Sequence, residues 1–411
     1  MKSSRFQTGR TQAVLSIADQ VLSSLTNLVV GIFAARALGV ADFGAFSSVF
    51  ILYTILVGGV AATVGQVVVL GDYGDRELVE RAREGIAFSL ILGVSCAVVI
   101  AVAAVGIDSV RGPLLALAAF LPLLLAQDSL RYGASALQRM EISVLSDGLW
   151  LVLLVATFPI LSVLDVSISP ASAIFVWGAA GAFSGLVCYP ILWSFTSRPD
   201  LSAFRRRDFL GYRFIGEYVA VRAASQGFIL LLGALTGLAA TGSVRGIATL
   251  YGPLAVAMAA AASFGAPLMR RVPPHRRDLF LILLTTLLVG VCALFSVALA
   301  LTPTAAGDAV LGDSWSGAMD FLPAMATQVV FAAVTTTSYL ALRLVAPRST
   351  LPIRLWTAAV VPPAFFVGYA TGGAVGALWG LTCASAVQAA VGSARYLQLR
   401  ARGTGLAHLD G

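Results

Sequence analysis

The chain has 411 residues, of which 58% are hydrophobic and 11% charged, with a mean hydropathy of +0.90. Ordinary soluble domains carry about 25% charged residues, so this composition excludes a water-soluble globular protein. The net charge of +7 would suggest nucleic acid as the partner of a soluble protein. In a membrane protein the basic residues must first be assigned to a side of the bilayer, and we expect no nucleic-acid partner.

Long uncharged stretches predict membrane-spanning helices along the whole chain. A bilayer core of about 30 Å requires about 20 mostly apolar residues in each helix. Eight stretches each predict one helix: Phe43–Gly71, Gly85–Ile107, Gly112–Gln127, Gly148–Leu164, Pro170–Ser197, Gly246–Met269, Leu279–Gly307 and Phe321–Leu342. A further stretch, Leu355–Ala394, is too long for one crossing, and its Gly372-Gly373 sequence predicts a tight helical hairpin.

Two further predicted helices carry ionisable residues. Gln12–Arg36 contains Asp19, and Phe214–Leu238 contains Glu217 and Arg222. With these two the total is twelve, so we predict an all-α polytopic membrane protein. Charged groups inside membrane helices are costly and often mark a transport pathway or a ligand site.

Basic residues are distributed very unequally between the two sides of this topology. Twenty-three Lys and Arg residues lie on the side of the termini, against only Arg36 and Arg111 on the other side. Cytoplasmic loops retain positive charge, so both termini are predicted to be cytoplasmic.

The basic connection 198–213, which contains Arg205-Arg206-Arg207, divides the chain into two predicted six-helix lobes, 1–197 and 214–411. We expect this linker to lie on anionic headgroups. The lobes align at an offset of 198 residues, which places Gly39, Gly44 and Tyr53 on Gly237, Gly242 and Tyr251, and Asp19 on Glu217. Six helices are an even number, so both lobes enter the membrane from the same side and are predicted to form a parallel repeat.

Arg222 is the main candidate for contact with a substrate. It lies five residues beyond Glu217, about 7.5 Å deeper along a helix, and is followed by small or polar residues that end at Gln226. Such a surface suits a cavity in which the guanidinium binds phosphate or sugar, or a helix interface at which Arg222 pairs with Asp19 or Glu217. Arg245, beside small residues, could reach inward or lie in the outer headgroups.

Asp19 and Glu217 occupy equivalent places in the early turns of their helices. A carboxylate there gains stability from the helix N-terminus, which could explain both residues. The alternative is a gating or coupling role, in which a carboxylate binds a proton or cation and changes partner as the lobes move.

Other polar groups give no sign of catalysis. The longest outer loop, Pro303–Gly317, holds only Asp308 and Asp313 as acids, so we expect no enzyme, metal or cofactor. A polar cluster near the connection to the fifth helix is predicted to be a set of salt-bridged loop anchors: Asp128, Arg131, Arg139, Glu141 and Asp147.

Four segments resemble the polysaccharide flippase branch of the multidrug/oligosaccharidyl-lipid/polysaccharide exporter superfamily. The most specific is DQVLSSLTNLVVGIFAARALGVADFGAFSSV at Asp19–Val49, an aspartate-led first helix followed by a glycine turn and Phe-Gly. The others are Gln127–Trp150, Gly237–Leu254 and Leu311–Ala318.

The resemblance implies two lobes that open a central cavity to alternate sides of the bacterial cytoplasmic membrane. The implied substrate is a polyprenyl-diphosphate-linked oligosaccharide, flipped to the outer leaflet for polysaccharide biosynthesis, with membrane lipids and possible polymerase and glycosyltransferase partners. In such proteins arginines face the diphosphate, a role for which Arg222 is best placed here. Two alternatives stay open: a cation-coupled multidrug exporter of the same superfamily, and a membrane enzyme or scaffold of polysaccharide assembly.

Overall fold

The computed structural model describes residues 2–70, 75–192, 210–219 and 223–401, and these residues form helices with no strand among them. The chain divides into two compact units, Met1–Gln226 and Gly227–Gly411. The helices up to the end of the first unit are α1 (Lys2–Ala37), α2 (Val40–Val60), α3 (Gln66–Leu70), α4 (Asp75–Ala104), α5 (Arg111–Ala136), α6 (Met140–Val163), α7 (Pro170–Leu192) and α8 (Leu210–Tyr218). Those that follow are α9 (Ala224–Thr236), α10 (Leu238–Leu250), α11 (Gly252–Arg271), α12 (Arg277–Ala300), α13 (Thr304–Leu311), α14 (Ser314–Val345), α15 (Pro347–Ala358) and α16 (Val361–Ala401).

The number of membrane crossings agrees with the sequence. Nine helical segments in the described ranges are long and apolar enough to cross a membrane, and the pair α10–α11, bent by 55°, makes a tenth. Helix α16 is broken at Gly372 and Gly373, where Gly373 has a φ of 57°, so it supplies two arms. With the shorter apolar helix α9, the prediction of an all-α membrane protein with twelve helices and a C-terminal hairpin is confirmed.

Helices α5 and α6 are among those that run further than the uncharged stretches predict. Helix α5 continues past Gln127 to Ala136, and α6 begins at Met140, before Gly148. Helical hydrogen bonds do not depend on apolar side chains, so a helix can continue through charged residues that find partners. The additional turns of α5 and α6 carry several residues that were predicted to anchor a loop.

The predicted repeat is visible in where equivalent helices begin. Helix α2 starts directly after Gly39 and α10 directly after Gly237, which preserves the 198-residue offset. Gly237 has a φ of 98°, a backbone conformation that side chains other than glycine rarely adopt. Tyr53 and Tyr251, the other matched pair, are both buried.

The core of the first unit is built around α5, which packs against α4, α7 and α2. Its residues Leu121 and Leu124 are fully buried. Beside them Trp150 Nε1 donates a hydrogen bond to the carbonyl oxygen of Trp177 at 3.0 Å. The Trp177 ring contacts Tyr53 edge to face, with ring centroids 4.6 Å apart. Large rings thus fix the spacing of α2, α6 and α7.

A π-helical turn at Ala61–Gly65 separates α2 from α3. A Cβ atom at Gly65 would lie 2.6 Å from Cγ of Tyr132, so only glycine allows this approach of α5. Gly58 similarly leaves room for Tyr218 of α8, whose hydroxyl donates to the carbonyl oxygen of Ile55 at 2.9 Å. Helix α8 therefore packs against α2 within the first unit. The predicted lobe boundary at 198–213 remains a prediction, because most of that segment lies outside the described residues.

In the second unit α14 is central and packs against α10, α11, α12 and α16. One buried cluster joins the ends of four of these helices: Met269 of α11, Leu281 of α12, Leu340, Ala341 and Leu342 of α14, and Tyr396 of α16. The two arms of α16 approach closely, since a Cβ at Gly380 would collide with the backbone of Ala364.

Candidate functional site

The first unit contains a buried group of one arginine and three aspartates, which we call the Arg131 cluster: Asp19, Asp128, Arg131 and Asp147. Arg131 Nη2 lies 2.9 Å from Asp19 Oδ2 and 3.2 Å from Asp147 Oδ2. Arg131 Nη1 lies 3.6 Å from Asp128 Oδ1. The exposed fractions of the four side chains are 11%, 8%, 20% and 2% in chain order.

Three membrane-crossing helices supply this cluster. Asp128 and Arg131 are three residues apart on α5 and therefore share one face of that helix. Asp147 comes from α6, and Asp19 from α1. Since α1 packs against α6 and α6 against α5, the guanidinium joins three helices at one point.

Neighbouring polar side chains orient the cluster. Gln127 Nε2 donates to Asp147 Oδ1 at 3.1 Å and to Ser146 Oγ at 3.0 Å. The hydroxyl of Ser143 donates a hydrogen bond to the carbonyl oxygen of Arg131 at 3.4 Å. Met140 N–H donates to Gln12 Oε1 at 3.1 Å, a second polar contact between α6 and α1. The carboxylate of Asp147 is therefore fixed on two sides.

The charges of the cluster do not balance. Three carboxylates surround one guanidinium, which gives a formal charge of −2 when all four groups are ionised. Among the described residues, buried atoms Asp19 Oδ1, Asp128 Oδ2 and Arg131 Nε have no hydrogen-bond partner. Uncompensated buried charge costs several kcal/mol per ion, so this arrangement favours uptake of a proton or another cation.

Five residues were predicted to anchor the loop before the fifth helix: Asp128, Arg131, Arg139, Glu141 and Asp147. For three of them this prediction is wrong. Asp128, Arg131 and Asp147 lie within α5 and α6 because both helices continue past the charges. Arg139 and Glu141 do form an exposed ion pair at the turn, with 3.3 Å between Nε and Oε1. The spacing of Asp128 and Arg131 on one helical face was the sequence signal for a buried pair.

The other candidate residues are distributed over both units. Glu217 is half-buried in α8, Gln226 is half-buried in α9, and Arg245 is half-buried in α10. Arg222 lies outside the described residues. Asp19, for which Arg222 was a predicted partner, forms its ion pair with Arg131.

Comparison with solved structures identifies the fold. An inward-facing multidrug resistance MATE family transporter of the MOP superfamily gives a TM-score of 0.59 at 18% identity, covering 94% of this chain and 95% of that one. The eukaryotic MATE transporter AtDTX14 gives 0.59 at 16% identity, with 98% and 97% covered. A MOP superfamily transporter from Pyrococcus furiosus gives 0.54 at 16% identity, with 97% and 95% covered.

No protein-family model and no curated protein sequence matches the chain significantly. The structural likeness extends over nearly the full length, so the chain has the fold of these transporters: twelve helices in two lobes. At these identities the likeness establishes architecture, and substrate must be argued from the residues.

Proposed function

We propose that this chain is a membrane transporter that moves a polyprenyl-diphosphate-linked oligosaccharide from the cytoplasmic to the outer leaflet of the bacterial cytoplasmic membrane by alternating access. The observation that best supports a transport function is the Arg131 cluster, a group of charges at which three membrane helices meet, in a fold shared with solved transporters. The cargo is supported by the resemblance of Asp19–Val49 and three further segments to polysaccharide flippases.

The cluster supplies a physical means of coupling. Arg131 Nη2 contacts Asp19 on α1 and Asp147 on α6. Protonation of Asp19 would remove its charge and weaken the hold of α5 on α1, while Asp147 and Asp128 would still neutralise the guanidinium. Loss of one proton would restore the contact. A local change of charge would thereby alter which helices are held together, as a two-state transport cycle requires.

Glu217 is the proposed gating counterpart of Asp19 in the repeat. Arg222, Arg245 and Gln226 are the proposed contacts with the cargo. A guanidinium binds diphosphate through two parallel hydrogen bonds and keeps its charge in a low-dielectric cavity. Transport requires no hydrolytic residue, so the diphosphate bond would stay intact.

A second candidate is a cation-coupled multidrug exporter. In the sequence, Asp19 is the main acid of the predicted membrane helices and an arginine opposes it, which favours an anionic cargo. The Arg131 cluster adds Asp128 and Asp147, so carboxylates outnumber the arginine three to one. An excess of buried carboxylates attracts cationic compounds, and two of the three structures compared above are described as MATE transporters.

Depletion of the protein from growing cells tests the two cargoes directly. We expect polyprenyl-diphosphate-linked oligosaccharide to accumulate on the cytoplasmic side, with no change in susceptibility to cationic dyes. Lipid-linked intermediates are extracted and measured with and without an outside-acting glycosidase, and re-expression of the wild-type chain serves as the control. Dye sensitivity together with normal polysaccharide export would contradict the flippase and favour the multidrug exporter.

A further inference from the structure

The charged residues of the second unit are separated between its two ends. One end, which we call the basic end, contains one buried arginine, Arg277, and five exposed or half-buried arginines at or near the ends of α12, α14, α15 and α16: Arg276, Arg343, Arg354, Arg395 and Arg400. The acid described at this end is Asp278. At the opposite end, around α13 and the start of α14, the described charged residues are Asp308, Asp313 and Asp320.

Contacts show that the basic end is one surface. Asp278 at the start of α12 accepts a hydrogen bond from the hydroxyl of Tyr396, and its Oδ2 lies 2.9 Å from Arg400 Nε. The guanidinium of Arg354 in α15 lies over the ring of Tyr339 in α14, 4.9 Å from the centroid. The starts and ends of four helices therefore meet there.

Exposed apolar side chains lie within two residues of several of these arginines in the sequence. The exposed fractions are 54% for Leu279, 44% for Leu355, 61% for Trp356 and 55% for Leu397. Tryptophan and leucine next to arginine are typical of the boundary between acyl chains and headgroups. A soluble polyanion would match the arginines but would leave these apolar groups in water.

The start of α4 in the first unit has a different charge pattern. Its arginines alternate with acids of the same helix: Arg76, Arg81 and Arg83 with Glu77, Glu80 and Glu84. Arg81 lies 2.9 Å from Glu84 and 3.6 Å from Glu77. The charges of this surface are internally compensated, whereas those of the basic end are in large excess.

We infer that the basic end of the second unit binds the headgroups of anionic phospholipids in the cytoplasmic leaflet. Arginines form charge-assisted hydrogen bonds with phosphate oxygens, and the neighbouring leucines and Trp356 contact the first acyl carbons. This surface goes beyond the proposed function and does not depend on the identity of the cargo.

The purified full-length protein in a neutral detergent provides the first test. Phosphatidylglycerol should raise the midpoint of thermal unfolding and remain bound in native mass spectrometry, whereas phosphatidylcholine should do neither. About 0.5 M NaCl should abolish the difference, because it shortens the screening length to a few Å. Equal stabilisation by the two lipids would overturn the inference.

Substitution separates this surface from general lipid binding. The variant Arg276→Gln/Arg343→Gln/Arg395→Gln should bind phosphatidylglycerol about 100-fold more weakly, given about 1 kcal/mol per surface arginine. The matched control Arg76→Gln/Arg81→Gln/Arg83→Gln removes the same charge from α4 and should bind like the wild type. Wild-type affinity in the first variant, or an equal loss in both, would overturn the inference. If the first variant does not fold, the single variants Arg276→Gln and Arg343→Gln decide the question: each should weaken phosphatidylglycerol binding about 5-fold, and wild-type affinity in both would overturn the inference.

Discussion

Three helices of the first unit meet at a buried charged cluster, whereas α14 of the second unit meets α12 and α16 at hydroxyl groups. In the first, α1, α5 and α6 converge on Arg131. In the second, Thr285 of α12 donates to Thr337 of α14 at 2.8 Å. The hydroxyl oxygens of Ser338 in α14 and Ser393 in α16 also lie 2.8 Å apart.

This difference indicates which unit can respond to protons or cations. Hydroxyl groups are neutral at any physiological pH, and the hydroxyl oxygens of Thr285 and Thr337 lie within hydrogen-bonding distance of carbonyl oxygens of their own helices as well as of each other. Their contacts therefore do not depend on a counter-ion. The Arg131 cluster changes its charge when a carboxylate is protonated, so we infer that the switching element lies in the first unit.

The largest effect on stability is expected when the arginine of the Arg131 cluster is removed. We expect Arg131→Ala to destabilise the protein by about 3–5 kcal/mol, because three buried carboxylates lose their common counter-ion. The measurement is the thermal unfolding midpoint of the purified protein. Arg131→Lys should be milder, since it keeps the charge but loses the forked geometry.

Arg139→Ala is the matched control for that substitution. It removes a nearby arginine in the turn between α5 and α6, but the ion pair of Arg139 with Glu141 is exposed, so the loss should be about 0–1 kcal/mol. If both alanine variants unfold at the wild-type temperature, the Arg131 cluster does not hold the helices together.

Asp19→Asn should separate stability from coupling. The asparagine oxygen can still accept the hydrogen bond from Arg131, and the cluster loses one excess negative charge, so stability should change by about 1 kcal/mol or less. Transport by the reconstituted protein should lose its dependence on pH. A large loss of stability with unchanged pH dependence would show that Asp19 only neutralises Arg131.

The smallest effect is expected in the second unit. Ser338→Ala removes the hydroxyl contact with Ser393, and hydrogen bonds between membrane helices contribute about 0.6 kcal/mol on average. We therefore expect a small decrease in the unfolding temperature and normal, pH-dependent transport. Loss of pH dependence in this variant would mean that coupling is not confined to the first unit.

Several features of the fold could be predicted from the sequence because they depend on neighbouring residues. The uncharged stretches identified the membrane helices, since the bilayer sets a minimum apolar length. Gly372-Gly373 predicted the hairpin, since glycine permits the reversal. The 198-residue offset predicted equivalent helix starts after Gly39 and Gly237.

The charged cluster could not be predicted in the same way. Asp19 and Arg131 are 112 residues apart, and nothing local to either residue indicates the other. The prediction ended α5 and α6 at a charged residue and so placed Asp128 and Asp147 in a connection. The free-energy cost of burying a carboxylate is offset by its ion pair with Arg131, and the sequence does not show that this pair forms.

The sequence by itself therefore determined that this is a membrane protein, its helix content, its repeat and the asymmetry of its basic residues. Each of these follows from side-chain polarity summed over short segments. Only the tertiary structure decided which charges meet, because the rotation and packing of α1, α5 and α6 bring Asp19, Arg131 and Asp147 within bonding distance. In the second unit, the packing of α12, α14, α15 and α16 likewise brings arginines that the sequence had assigned to one side into one surface.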